Sequence, residues 1–306
     1  VYPAVNTVSM WLIVPWRPGS PRRNAGIGSM LRFGGTVTLN NLVVYAAYNL
    51  DKILLGRFWG ADVLGLYSRA GQLINIPTSQ LNMAIGGVAF SALSRLQDDL
   101  ARYKSYFLKG YSLVIAMTAP ITLFMAVFAD DIVRVVLGAQ WGEATPIFRL
   151  LTPTVLFFGI VNPLAWLMMS SGLQRRSLII ALVLAPLCIA SYFIGLPYGP
   201  TGVALAYSTA LALWMFPHIA WCLKGTGISL VELLRSMGPP IGSALIAVGI
   251  AYLLHNVVGG FDSAFVRLAF DGAAMAASYS VTLLFVMGQK EFYFDLLSHL
   301  PLPRMN

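Results

Sequence analysis

Eight apolar stretches, each about as long as the ~20 residues a helix needs to cross the hydrocarbon core, run through this chain. They cover roughly 33–56, 71–94, 108–129, 148–171, 177–196, 201–222, 238–258 and 265–288. Charge is too scarce for a soluble globule to replace them. Only 10% of residues are charged and 58% are hydrophobic, against ~25% charged in ordinary soluble domains. Mean hydropathy is +0.73. The pattern predicts an all-α integral membrane protein of about eight transmembrane helices, because hydrocarbon requires every backbone polar group to be paired within its own span. It excludes an ordinary cytoplasmic enzyme, a secreted disulfide scaffold and a disordered chain.

Breaks between the stretches are explicit. Pro18, Gly19 and Pro21 interrupt the chain early, Leu196 to Gly202 reads as a tight turn, and Gly259-Gly260 as another. The first residue is Val1, and the apolar run from Val8 to Trp16 lacks signal-peptide features, so this segment reads as the tail of a helix begun elsewhere. The chain is therefore expected to be the C-terminal part of something longer. Of its 20 Lys and Arg, fourteen fall in one set of connections and six in the other. The richer side, with Arg17, Arg22, Arg23, Arg32, Arg95, Arg102, Lys104 and the tail, is expected to be cytoplasmic. Topology and anionic headgroups account for the net charge of +8, and no nucleic-acid partner is expected.

The first two spans are not uniformly apolar. Thr38, Asn41, Tyr45, Tyr48 and Lys52 recur at helical spacing in the first, with Asn40 and Asp51 beside them. Ser68, Gln72, Asn75, Ser79, Asn82 and Gly86 do so in the second, with Arg69 beside the top of the row and Pro77 expected to kink the helix. Polar groups at membrane depth either bond other helices or face a water-filled cavity. Two whole stripes favour a hydrophilic cavity, with Asn41, Tyr45, Tyr48, Asp51, Lys52, Arg69, Gln72, Asn75, Ser79 and Asn82 as candidate lining. Lys52 and Arg69 could hold a phosphate or an acidic sugar there, although Lys52 could equally snorkel to the headgroups.

Little else carries chemistry. Cys188 and Cys222 lie in apolar runs, His218, His255 and His299 are scattered, and no metal-binding or redox spacing occurs, so no cofactor is expected. GxSxG, Walker, GxGxxG and HExxH motifs are missing. Asp98-Asp99 reads as solvated loop charge and Asp130-Asp131 as the cap of a helix, with 130–142 a short interfacial element. Asp271 is expected to pair with Arg267 one turn away. Tyr207 and Trp214 read as packing or interface aromatics.

The run Asn49 to Tyr67 resembles the polysaccharide flippases of the MOP superfamily, the Wzx-type exporters. The resemblance rests on Asn49-x-Asp51-Lys52, Gly56, Gly60-Ala61 and Leu64-Gly65-x-Tyr67. Ser91 to Asp99, Leu137-Gly138-Ala139-Gln140-Trp141 and Tyr198 to Ala204 are similar to further patterns of that family, so the likeness covers about residues 30 to 230. It implies a transporter of fourteen helices in which the eight spans are helices seven to fourteen and the N-terminal lobe is missing. Residues 1–32 would be the end of a helix and the link between lobes, 33–224 a six-helix lobe, 225–288 two additional helices and 289–306 a cytoplasmic tail. It also implies translocation of an undecaprenyl-diphosphate-linked oligosaccharide across the bacterial inner membrane by alternating access. Partners would be that lipid, the bilayer, and either the missing lobe or a second copy of the chain. Arg69 is the position matching a cavity cation of related lipid flippases, with Lys52 in a similar role. Two alternatives stand beside this reading. A cation-coupled drug antiporter would need intramembrane carboxylates, for which Asp51 is the candidate. A membrane polymerase or glycosyltransferase would need a large outer loop, and the longest here is about 130–147.

Overall fold

The structure is a computed structural model that describes residues 5, 9–11, 45, 49–258, 260–291 and 293, and the side chains of all of these except 81–85, 87, 88, 90 and 174. The chain divides into two compact units, Val1–Tyr45 and Ala46–Asn306. In the first, the described residues are helical and Val5, Met10, Trp11 and Tyr45 are exposed. Asn41 and Tyr48 lie outside the described residues.

The regular elements among the described residues of the second unit are all helices. Helix α1 occupies 49–58 and ends before Gly60, whose φ of 88° is open to glycine but strained for other residues. Then follow α2 (Ala61–Arg95), α3 (Leu100–Val127), α4 (Ala129–Val136), a short 3-10 segment (Ala139–Ala144), α5 (Thr145–Leu151), α6 (Pro153–Ser170), α7 (Gln174–Gly195), α8 (Gly199–Leu223), α9 (Leu230–Val258) and α10 (Ala264–Val281). The local chemistry explains the boundaries. The Asp99 side chain accepts the Arg102 N–H at 3.1 Å and caps α3. Asp130 and Asp131 stand in the first turn of α4, where carboxylates suit the helix dipole. Pro153 opens α6 as a first-turn proline, so the expected span 148–171 is two helices meeting at Thr152. Between α7 and α8 the chain reverses through Leu196–Tyr198. There Gly195 and Gly202 approach so closely that a Cβ on either would collide with the other's backbone.

Five stretches among the described residues are long and apolar enough to cross a membrane: Leu100–Val127, Pro153–Ser170, Arg175–Leu223, Leu230–Val258 and Ala264–Val286. The third, of 49 residues, contains both α7 and α8. Helix α2, at 35 residues, contains the expected span 71–94. The expected span 33–56 falls mostly outside the described residues.

Helix α6 is the centre of the lobe, packed against α2, α3 and α8, while α9 lies along α3 and α10 along α9. Lipid is as apolar as leucine, so close packing rather than escape from water holds such helices together. Gly159 of α6 shows the principle: it admits the Thr118 side chain of α3 so tightly that an added Cβ would lie 2.6 Å from Oγ1. At one end of the lobe, Tyr103 Oη bonds Ser170 Oγ at 2.7 Å and Ser171 Oγ at 2.9 Å and donates to Leu167 O at 3.3 Å. At that end Arg176 also binds the carbonyls of Trp221 and Lys224, and Lys104 pairs with Glu232 at 2.6 Å.

Candidate functional site

What a membrane helix exposes must be compatible with lipid or with water. Helices α7 to α10 expose Leu178, Leu182, Phe193, Leu213, Phe216, Leu245, Leu253 and Phe265. Helix α2 does the reverse over residues 69–80. Its interior side is apolar, with Tyr67, Ala70, Leu73 and Ile74 buried. Its exposed side carries Arg69, Gln72, Asn75, Ser79 and Gln80, with Ile76 the apolar exception. At 100° per residue these positions span an arc of about 140°, a polar strip along the helix that Ile76 interrupts. Of the stripe expected from sequence, Gln72, Asn75 and Ser79 are exposed on this face, while Ser68 and Gly86 are part-buried. Asn82 is in the same helix, and its side chain is not among those described.

The cations are held locally. Arg69 donates to Gln72 Oε1 at 3.0 Å, and its guanidinium lies 5.6 Å from the Trp141 ring centroid. Together these contacts orient the charge without neutralising it. Lys52, half-buried on α1, donates from Nζ to Asn49 Oδ1 at 3.0 Å. Among the described residues neither cation forms a salt bridge with a carboxylate. Asp51 turns inward: it is 8% exposed, accepts its neighbour's Lys52 N–H at 2.8 Å, and lies close to the buried Tyr67 beyond the Gly60 turn. It sits with the α1–α2 junction in the interior, near Cys188 and Tyr192 of α7. The structure thus brings Arg69, Gln72, Asn75 and Ser79 onto one exposed face and separates Asp51 from it.

Around Arg69, the end of the lobe is tied by long-range contacts. Trp59 Nε1 donates to Leu196 O at 2.9 Å, and Arg149 bonds Asp130 at 2.6 Å and Ala126 O at 3.1 Å. The expected pairing of Asp271 with Arg267 is corrected by the structure. Arg267 forks onto Asp131 instead, 2.6 Å to Oδ1 and 3.3 Å to Oδ2, and Asp271 bonds His255 Nδ1 at 2.9 Å. A planar guanidinium favours a carboxylate it can meet with two parallel N–H groups, and α4 presents one. Sequence reading missed this grouping, although His255 and Asp271 near the ends of two apolar stretches were its available signal. Trp214 Nε1 donates to His218 Nδ1 at 3.2 Å, and Tyr192 stacks on Tyr207 with centroids 5.4 Å apart, so these aromatics are packing groups. A groove of about 840 Å³ between α7 and α8 is apolar, lined among others by Leu187, Ile194, Leu205 and Leu213, and the polar residues of α2 do not line it.

Residues 1–146 match the family described as "Polysaccharide biosynthesis protein". The chain is 31% identical over 157 residues to the lipopolysaccharide biosynthesis protein WzxC of Escherichia coli, covering 51% of this chain and 32% of that protein. It is 27% identical over 252 residues to the amylovoran biosynthesis protein AmsL of Erwinia amylovora, covering 79% and 62%. The chain is thus similar to bacterial polysaccharide biosynthesis proteins. It spans between about a third and three fifths of the length of these two relatives. The fold is that of the lipid II flippase MurJ in an inward closed conformation. That likeness has a TM-score of 0.74 at 16% identity and covers 96% of this chain and 61% of that one. The resemblance stated from the sequence motifs holds, and the chain is a multi-pass membrane protein.

Proposed function

We propose that this chain builds one wall of a bacterial inner-membrane transporter that moves a lipid-diphosphate-linked oligosaccharide from the cytoplasmic to the outer leaflet by alternating access. The observation that carries the reading is the polar face of α2. A helix in an apolar bundle that exposes Arg69, Gln72, Asn75, Ser79 and Gln80 needs water or a polar ligand opposite it. Gln72 and Asn75 suit sugar hydroxyls, which donate and accept as amides do. Arg69 and Lys52 supply fixed positive charge for a diphosphate or an acidic sugar. No covalent step is involved. Residues 33–224 act as the transporter lobe, 225–288 as two added helices and 289–306 as a cytoplasmic tail, with 1–32 linking to what precedes. A second lobe, on the same polypeptide, on a separate one or from a second copy of this chain, closes the cavity.

Complementation tests the proposal. The chain is expressed alone, and with a separate N-terminal lobe, in a bacterium lacking its own O-antigen or exopolysaccharide flippase, and surface polysaccharide is measured. Restoration that falls with Arg69→Ala and Lys52→Ala is the expected outcome. No restoration in either form, with the protein present in the inner membrane, would overturn it.

A further inference from the structure

Where α4, α9 and α10 meet, four polar side chains converge in otherwise apolar surroundings. Asp131 comes from the first turn of α4, His255 from the last turn of α9, and Arg267 and Asp271 from the first turns of α10. Asp131, His255 and Asp271 each offer a ligand atom, and the three atoms lie within 4.8 Å of one another. Arg267 is fixed on Asp131 and on the Phe261 carbonyl at 2.8 Å.

The grouping is short of positive charge. Two carboxylates, both buried, face one guanidinium, and exposed Asp262 adds a third negative charge near it. Asp271 is 0% exposed, and while Oδ2 bonds His255, Oδ1 is buried with no hydrogen-bond partner. A buried carboxylate oxygen without a donor is costly unless a cation reaches it. The Arg267 fork uses two of the roughly four lone-pair positions of Asp131, so that carboxylate can still ligate.

We propose that Asp131, His255 and Asp271 form a binding site for a divalent transition metal, with zinc as the cation best suited to one imidazole and two carboxylates. Tetrahedral zinc with bonds of about 2.0–2.2 Å sets its ligands roughly 3.3 Å apart. The three atoms lie within 4.8 Å of one another, and His255 Nδ1 is 2.9 Å from Asp271 Oδ2, so small side-chain shifts bring all three to ligand spacing. His255, whose side chain is 28% exposed, gives the ion its entry path, and water takes the fourth position. Bound there, the ion clamps the last two helices to the lobe at α4. This site is separate from the polar face of α2 and independent of the transport reading.

The test uses the full chain, purified in detergent and stripped with EDTA. Zinc is titrated while thermal unfolding and metal content are followed. One zinc per chain and a Tm rise of about 5 °C at a hundredfold excess over the dissociation constant are expected. Both are lost in His255→Gln, which keeps the side-chain size. Cobalt(II) bound by the unmodified chain should give the visible absorption of a tetrahedral site with nitrogen and oxygen ligands, a readout that needs no variant. Absence of a zinc effect on the folded chain overturns the proposal, as does an equal effect in His255→Gln. A Tm that responds to pH between 5 and 8 but not to zinc also overturns it, and identifies a proton as the missing charge.

Discussion

Placing a lysine on each of two exposed helix faces tests whether the α2 strip meets water. Ser79 is exposed one residue from the midpoint of α2, and Leu182 is 63% exposed within a turn of the midpoint of α7. If α7 faces lipid, Leu182→Lys carries an ammonium to the bilayer centre at a cost of about 2.5–3.5 kcal/mol. Ser79→Lys adds the same charge to a strip already holding Arg69, Gln72 and Asn75, where hydration makes the cost small. The expected difference is about 3 kcal/mol. At roughly 2 °C per kcal/mol for a chain of this size, that is a Tm gap of about 6 °C. The assay is thermal unfolding of both variants and the unmodified chain in lipid nanodiscs. An equal fall for Ser79→Lys and Leu182→Lys would refute the reasoning, since α2 would then expose its polar strip to lipid like any other helix.

Three further outcomes follow from the packing. Gly159→Ala forces a methyl against Thr118, whose rotamer is held by its bond to Val114 O at 2.8 Å, and should destabilise the chain by about 1–3 kcal/mol in thermal unfolding. Tyr103→Phe removes a buried hydroxyl that joins α3 to the end of α6 and should cost about 1–3 kcal/mol, while Tyr106→Phe, at an exposed site on the same helix, should cost little. Gly195→Val should prevent the α7–α8 hairpin from closing. It should lower the yield of folded protein measured by size-exclusion chromatography in detergent, and unchanged yield would contradict the close backbone approach at Gly202.

The helices were legible because hydrocarbon demands long apolar runs, and their joints because Gly and Pro mark them: the α7–α8 turn falls where Leu196-Pro197 and Gly199-Pro200 predict it. The polar face of α2 was legible for the same reason of periodicity, since Arg69, Gln72, Asn75 and Ser79 lie on one side of any straight helix. Asp51 shows the limit of that logic. Its neighbours in sequence place it beside the stripe, but its surroundings depend on Tyr67, brought across the Gly60 turn by packing that no local pattern encodes. Arg267 shows the same limit at longer range. Helical spacing offers Asp271 one turn away, yet the guanidinium goes to Asp131, 136 residues distant, because tertiary packing presents a carboxylate it can grip with two bonds. Thr152 marks a third case, in which one hydropathic span conceals two helices because Pro153 cannot continue the first.

Accessibility along α2 tests the central claim most directly. The chain has two cysteines, Cys188 and Cys222, both buried, so the unmodified protein gives a low background. Single cysteines at Gln72, Asn75 and Ser79, and controls at Leu182 and Leu213 on the exposed apolar sides of α7 and α8, are exposed in native membranes to a charged, membrane-impermeant thiol reagent. Only a hydrated thiol ionises and reacts readily. The account predicts rapid labelling at all three α2 positions and almost none at the controls. Labelling at the α2 positions as slow as at Leu182 and Leu213 would contradict it.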